Sequence, residues 1–288
     1  MITGSTRVVG LLGHPVRHSL SPIMHNAGFQ AAGLDWVYIP FPTAPEHLEE
    51  VLAGLYHVGV AGLNVTVPHK VAVVDHLAGL TEEALRIGAV NLLIPSPQGW
   101  IGDNTDGQGF IRALTEAGFE AEGKRVLLLG AGGAARAVAH ALLAEGAAGL
   151  VISNRTWENA KDLEAELDPY YSDAELDIVP WKERNDPGLL METDLIVNTT
   201  VVGMHAKKSD PPLLHFSELS SDHRPFVADI VYTPLETPLV REAKKHGLPV
   251  LTGEKMLLYQ GVMSWEAWTG QPAPIQEMVK ALVWALER

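Results

Sequence analysis

The chain has no cysteine, which excludes disulfides, thiolate metal centres and cysteine nucleophiles and fits a reducing compartment. Long apolar runs are also missing. No stretch reaches the roughly 18 residues of a membrane-spanning helix. The start, from Met1 to Pro15, has neither the charged opening nor the apolar centre of a secretory leader, so the expected location is the cytoplasm. Positive charge is scarce: 21 Lys and Arg stand against 35 Asp and Glu, a net charge of −14. That balance repels nucleic acid and anionic bilayers, and neither is an expected partner. A small anionic ligand would have to be held by local hydroxyls, amides and a few chosen cations. His14 and His18 are four apart but separated by Pro15, and no His-Glu-x-x-His occurs, so no metal site is expected. A Gly-x-Ser-x-Gly elbow is absent too, which leaves a serine hydrolase unsupported.

What is present is globular: 47% apolar and 19% charged residues over 288 positions, against about 100 to 200 residues for a typical domain. Two domains are the first expectation. Short β-branched runs (Val8 to Leu12, Trp36 to Phe41, Ala61 to Val65, Ala89 to Ile94) alternate with helical patterns (Met24 to Ala32, Pro45 to Val58, Gly107 to Gly118). The order then continues as strand 125–129, helix 134–145, strand 149–153, helix 156–167 and strands at 176–179, 194–198, 226–230 and 249–251. Such alternation predicts an α/β fold with a parallel sheet covered on both faces. Lys255 to Arg288 reads as helical and rich in Trp. The domains are expected to be 1–106, joined by 255–288, and 107–254.

Between strand 125–129 and the next helix stands Gly130-Ala131-Gly132-Gly133-Ala134-Ala135, a Gly-x-Gly-x-x-Ala pattern. Glycines there permit the tight turn and let backbone N–H groups approach a pyrophosphate at the positive end of the helix. About twenty residues on, NAD sites usually place an acid for the ribose hydroxyls. This chain has Asn154-Arg155-Thr156. A guanidinium suits a 2′-phosphate, so NADP is preferred to NAD, although Glu158 could serve ribose hydroxyls.

Three clusters mark the first domain. In His18-Ser19-Leu-Ser21-Pro22, Ser21 could simply cap a helix that starts at Pro22, but two serines flanking one residue of an extended segment would point the same way and could share a carboxylate. Asn64-Val-Thr66-Val-Pro-His-Lys70 lies between a strand and a helix, at the kind of strand end that presents ligands. Gly102-Asp-Asn-Thr-Asp106-Gly107 is dense in turn residues, yet Asp106 falls at the domain junction, where it could orient a lysine or exchange a proton with a hydroxyl.

Taken in order, Ser19-Leu-Ser-Pro22, Asn64-Val-Thr-Val-Pro-His-Lys70, Gly88-Ala-Val-Asn91, Asn104-Thr-Asp-Gly107, Gly130 to Ala135, Asn154-Arg-Thr156, Asn198-Thr199-Thr200 with Gly203-Met204, Asp229-Ile-Val-Tyr232 and Gly253 to Gln260 resemble the shikimate dehydrogenase family from Gly10 almost to the C-terminus. The resemblance implies an N-terminal α/β substrate domain, a C-terminal Rossmann-type domain and reversible, NADPH-dependent reduction of 3-dehydroshikimate to shikimate in aromatic amino-acid biosynthesis. It implies that Ser19, Ser21 and Tyr232 hold the substrate carboxylate, that Asn64, Thr66, Asn91, Asp106 and Gln260 bind ring hydroxyls, and that Lys70 and Asp106 form the catalytic pair. The cofactor would contact Gly130 to Ala135, Asn154, Arg155, Thr156, Thr199, Gly253 and the backbone near Ile230. Family members that use NADP often carry a further cation three residues after the Thr of Asn-Arg-Thr; here that position is Asn159. The alternatives are a quinate/shikimate dehydrogenase with relaxed substrate or NAD use, a silent dinucleotide sensor and, more distantly, a methylenetetrahydrofolate dehydrogenase. Either a monomer or a homodimer is compatible with the sequence.

Overall fold

Runs of β-branched and aliphatic residues bounded by Gly, Pro and Asn become strands when both faces can be covered. In the computed structural model, which describes residues 2–207, 209–220 and 222–288, they do so in two separate sheets. The chain divides into one unit of Met1–Gly109 with Leu258–Arg288 and another of Phe110–Leu257.

The first unit contains β1 (Arg7–Gly13), α1 (Ser21–Ala31), β2 (Trp36–Pro42), α2 (Leu48–His57), β3 (Gly62–Val65), β4 (Gly79–Leu80), α3 (Glu82–Ile87), β5 (Leu92–Ser96) and β6 (Gly99–Asp103), and α4 (Asp106–Glu116) starts in it. Its sheet runs β2-β1-β3-β5-β6-β4. β1 lies parallel to β2 and β3, whereas β5 is antiparallel to both β3 and β6. The sheet is therefore mixed. The strand expected at Ala89 to Ile94 is β5, which starts later and runs on through Pro95; its hairpin partner β6 and the short β4 go beyond the sequence pattern. The helix expected after Lys70 is a short 3-10 turn, Ala72–His76. One face of the sheet packs Leu12, Leu63, Val73, Leu93 and Trp100. Near β2, Phe29, Tyr38 and Trp265 are fully buried, with Phe29 stacked on Trp265 at 5.7 Å.

The second unit holds β7 (Arg125–Leu129), α5 (Gly133–Ala144), β8 (Gly149–Asn154), α6 (Trp157–Leu167), β9 (Glu175–Pro180), α7 (Pro187–Met191), β10 (Leu195–Asn198), β11 (Phe226–Asp229), α8 (Pro238–Lys245) and β12 (Val250–Leu251). The order β12-β11-β10-β7-β8-β9 is parallel throughout, the doubly wound arrangement whose order reverses between β7 and β10. The predicted elements here match to within one or two residues. α9 (Gly253–Thr269) and α10 (Ile275–Leu286) end the chain. Both unit boundaries fall inside helices, within α4 and α9, rather than at 106/107 and 254/255. No helix among the described residues is long and apolar enough to cross a membrane.

Candidate active site

In the first unit, two strand registers gather residues far apart in sequence. Asn64 is paired across β3 and β5 with Leu92, and Leu92 pairs across the hairpin with Asp103. Asn64, Asn91 and the Asn104-Thr105-Asp106 turn therefore meet at one end of the sheet. Lys70 is tied in by its backbone, whose carbonyl accepts from Val90 N–H at 2.7 Å. Its ammonium donates to Asp106 Oδ2, and the two side chains are only 14% and 5% exposed.

A second ring of bonds orients that pair. Asn91 Nδ2 donates to Asp106 Oδ1 at 2.8 Å and faces Thr105 Oγ1 at 3.0 Å, while Asn91 Oδ1 accepts from Thr105 N–H at 2.8 Å. Asp106 N–H donates to Asn104 Oδ1 at 3.0 Å. Both oxygens of the Asp106 carboxylate thus accept from nitrogens that can only donate, that of the Asn91 amide and that of the Lys70 ammonium. Asn64 is buried, donating to Asn91 O at 3.1 Å and Ser264 Oγ at 2.8 Å and accepting from Tyr38 Oη–H at 3.0 Å. Thr105 Oγ1 donates to the Gln260 carbonyl at 3.2 Å, which brings Gln260 on α9 to the same cluster. Thr66, half-buried, is one residue past β3.

The serine pair departs from expectation. Ser21 is the first residue of α1, not its cap; Leu20 holds the cap position and offers no side-chain bond, so Pro22 falls in the second helical position. With Ser21 already helical, the alternation of an extended strand does not set its direction. Ser19 Oγ accepts from Ser21 N–H at 3.2 Å, and Ser21 is 5% exposed. Tyr232 belongs to the second unit. Sequence reasoning passed over Tyr38, Thr105 and Ser264. Tyr38 and Ser264 stand among apolar neighbours and read as core, and only the density of turn residues hinted at Thr105.

In the second unit, Gly130 follows β7 with a φ of 113°, and a Cβ there would come within 2.5 Å of Thr199 Oγ1 at the end of β10. Only glycine serves that place. Thr199 Oγ1–H donates to Leu129 O at 2.7 Å, fixing the two strand ends side by side at the point where the strand order reverses. Gly132 caps α5 with no side-chain bond, and the space over its Cα is open. The uncapped N–H groups of Gly133, Ala134 and Ala135 and that open approach fit the pyrophosphate of a dinucleotide. Ala131 and Ala135 are buried under the turn.

At the end of β8, Asn154 Nδ2 donates to Thr156 O at 2.8 Å, and Thr156 occupies the α6 cap position without a side-chain bond. Arg155, Glu158 and Asn159 are exposed. Gly253 opens α9 against the Ile230 carbonyl, which a Cβ would overlap. The buried Asp229 accepts from Thr237, Asn198 and Val231, at 2.6, 2.9 and 3.0 Å. Burial outweighs those bonds and pushes its pKa up to about 6. No group of three or more His, Asp or Glu suited to a metal ion occurs among the described residues.

A doubly wound parallel sheet with a glycine-lined strand end, joined in one chain to a mixed sheet holding a largely buried lysine–aspartate pair, defines the class of two-domain α/β nucleotide-dependent dehydrogenases. Family models agree: residues 11–93 match the shikimate dehydrogenase substrate binding domain, 113–203 match shikimate / quinate 5-dehydrogenase, and 253–283 match the shikimate 5'-dehydrogenase C-terminal domain. The chain belongs to the shikimate dehydrogenase family. It is 45% identical over 286 residues to the shikimate dehydrogenase (NADP(+)) of Moorella thermoacetica, covering 98% of this chain and 94% of the relative. A shikimate dehydrogenase solved in complex with NADP+ superposes with a TM-score of 0.90 at 37% identity, over 100% of this chain and 98% of that one. The shikimate 5-dehydrogenase of Thermus thermophilus, solved with NADP(H) and shikimate, gives a TM-score of 0.83 at 37% identity, over 97% and 100%.

Proposed function

We propose that this chain is an NADP-dependent shikimate dehydrogenase, which interconverts 3-dehydroshikimate and shikimate. The observation that carries the reading is the largely buried Lys70–Asp106 pair, held by Asn91 at one end of the first sheet. When bound, the reduced nicotinamide supplies a hydride to the ketone carbon. Charge then develops on the ketone oxygen, and the Lys70 ammonium stabilises it and delivers a proton. Asp106 is the orienting partner in this reading: Asn91 and Lys70 both donate to it, so the carboxylate is fixed in direction and holds the ammonium in place.

Ser19, Ser21 and Tyr232 take the substrate carboxylate, and Asn64, Thr66, Asn91, Asp106 and Gln260 take the ring hydroxyls. The cofactor is held by Gly130 to Ala135, Asn154, Arg155, Thr156, Thr199, Ile230 and Gly253. Arg155 has no carboxylate partner among the described residues, which leaves its guanidinium available for a 2′-phosphate.

The test is Lys70→Ala. Shikimate oxidation should slow by about two to four orders of magnitude in kcat, as for loss of a general acid–base group, with a much smaller change in KM. Equal losses in both would remove Lys70 from the chemistry. A second reading, relaxed cofactor or substrate use, draws on the exposed Asn159 and Glu158 beside Arg155; turnover of shikimate and quinate with NADP+ and NAD+ separates the two.

A further inference from the structure

We infer that Ser264, a residue of α9, is the positioning residue for Asn64 and that it makes Asn64 an acceptor, never a donor, toward a substrate hydroxyl. The inference rests on the reading above that Asn64 lines the substrate site.

The Asn64 amide has two N–H donors and one oxygen with two lone pairs. Asn91 O, 3.1 Å away, is a carbonyl and can only accept, so the atom facing it must be the nitrogen; this settles the orientation of the amide by chemistry. The second N–H goes to Ser264 Oγ at 2.8 Å. Tyr38 Oη–H occupies one lone pair of Oδ1 at 3.0 Å. What remains for a ligand is the other lone pair.

Ser264 is suited to its part because its own proton is already committed. It donates to the Gln260 carbonyl one helical turn back, at 3.0 Å, so toward Asn64 the hydroxyl can only accept. Ser264 is fully buried and Asn64 is 4% exposed, which means no water replaces the hydroxyl once it is gone. The same Gln260 carbonyl accepts from Thr105. One serine thus links the β3 end, the α9 backbone and, through Asn91, the Asp106 turn.

Without the hydroxyl, the second N–H of Asn64 is buried and unpaired. The amide relieves this by rotating, and its free lone pair leaves the direction a substrate hydroxyl needs. Binding should suffer while the proton chemistry at Lys70 does not. The experiment is shikimate binding by titration calorimetry, with steady-state kinetics alongside, on the full-length wild type, Ser264→Ala, Asn64→Ala and the double variant. Ser264→Ala should weaken shikimate binding about five-fold, the worth of one ordinary hydrogen bond, and raise KM in step while kcat stays within about two-fold. In the Asn64→Ala background, Ser264→Ala should add nothing further.

Equal weakening by Ser264→Ala in both backgrounds would overturn the inference, since the serine would then act by some route other than Asn64. So would unchanged binding in Ser264→Ala when Asn64→Ala binds poorly. If Asn64→Ala itself binds shikimate normally, the site reading fails and takes this inference with it. A wild-type far-UV circular dichroism spectrum of Ser264→Ala at the assay temperature confirms that binding by folded protein is being read, even where the unpaired amide lowers the denaturation midpoint.

Discussion

Acidification from pH 7 to 5 should destabilise the protein through one side chain, His25. Its ring is fully buried and stacked on Tyr38 at 4.5 Å, and neither nitrogen has a hydrogen-bond partner. Burial without a partner holds its pKa down to about 3, against 6.5 for a free imidazole. The sign follows from linkage. Below 6.5 the unfolded chain takes up a proton that the folded ring refuses, so the stability present above 6.5 is lost as pH falls toward 3. At pH 5 the gap from 6.5 is 1.5 units, or about 2 kcal/mol at 1.36 kcal/mol per unit. Asp229 works in the opposite sense: with its pKa raised from 3.8 to about 6, its contribution is complete below 3.8 and is lost as pH rises through 6. Between pH 7 and 5 it returns about 1 kcal/mol. The wild-type change is a sum of such contributions, so the comparison uses His25→Phe, which keeps an aromatic ring over Tyr38 and cannot titrate. Any packing change in the variant is common to both pH values and cancels. Urea denaturation of both proteins at pH 7 and 5 should show the wild type losing about 2 kcal/mol more than the variant. Parallel losses would refute the claim that the ring stays neutral and unpaired.

Gly62 lies directly beneath the Trp268 indole, where a Cβ would overlap the ring, and that indole donates to Leu93 O at 3.2 Å. Gly62→Ala should therefore lower stability by at least about 1 to 3 kcal/mol, the usual cost of overpacking; an unchanged denaturation midpoint would mean that α9 can move away freely. Removing the charge at Arg155 should discriminate between cofactors. Arg155→Ala is expected to raise KM for NADP+ about ten-fold or more and that for NAD+ far less, and equal effects would place Arg155 outside the 2′-phosphate subsite. In the reverse direction, Asn159→Lys should strengthen the preference for NADP+, read as the ratio of kcat/KM values.

The second unit was legible almost element by element. Most of its strands are apolar runs such as Val126 to Leu129, and the turns after β7, β8 and β10 open at Gly130, Asn154 and Asn198, so periodicity and punctuation agree there; helices α7 and α8 go beyond the sequence pattern. The first unit was legible in its parts but not in its sheet. Asn91 follows a helix that ends at Gly88, and Leu92 to Ser96 carry a proline inside what proves to be a strand, a signal that normally argues against pairing. The hairpin, and with it the meeting of Asn91 and Asp106, depends on long-range register that no local window contains. The start of α1 differs for a related reason: Ser followed by Pro is a strong cap signal, yet the helix here begins one residue earlier, at Ser21 itself. Site chemistry was legible where rare residue types cluster, as at Lys70 and Asp106. It was hidden where a tyrosine or a serine on an otherwise apolar face acts by hydrogen-bonding a neighbour.

The charge balance gives the same division of labour a physical reason. A chain with a net charge of −14 cannot rely on a broad positive surface to collect anionic ligands, and a lone buried cation would be costly to desolvate. In the first unit that cost is met by pairing: Lys70 is neutralised by Asp106, and Asn91 supports the carboxylate. In the second unit the positive end is a helix terminus with its N–H groups uncapped at Gly132 and Gly133, which attracts a phosphate without adding a full charge to the interior. Proton transfer from Lys70 to a ketone oxygen would leave a neutral amine beside a carboxylate that still accepts from Asn91. The pair would therefore never present an uncompensated cation at any stage, and the amide of Asn91 is what stabilises the residual anion.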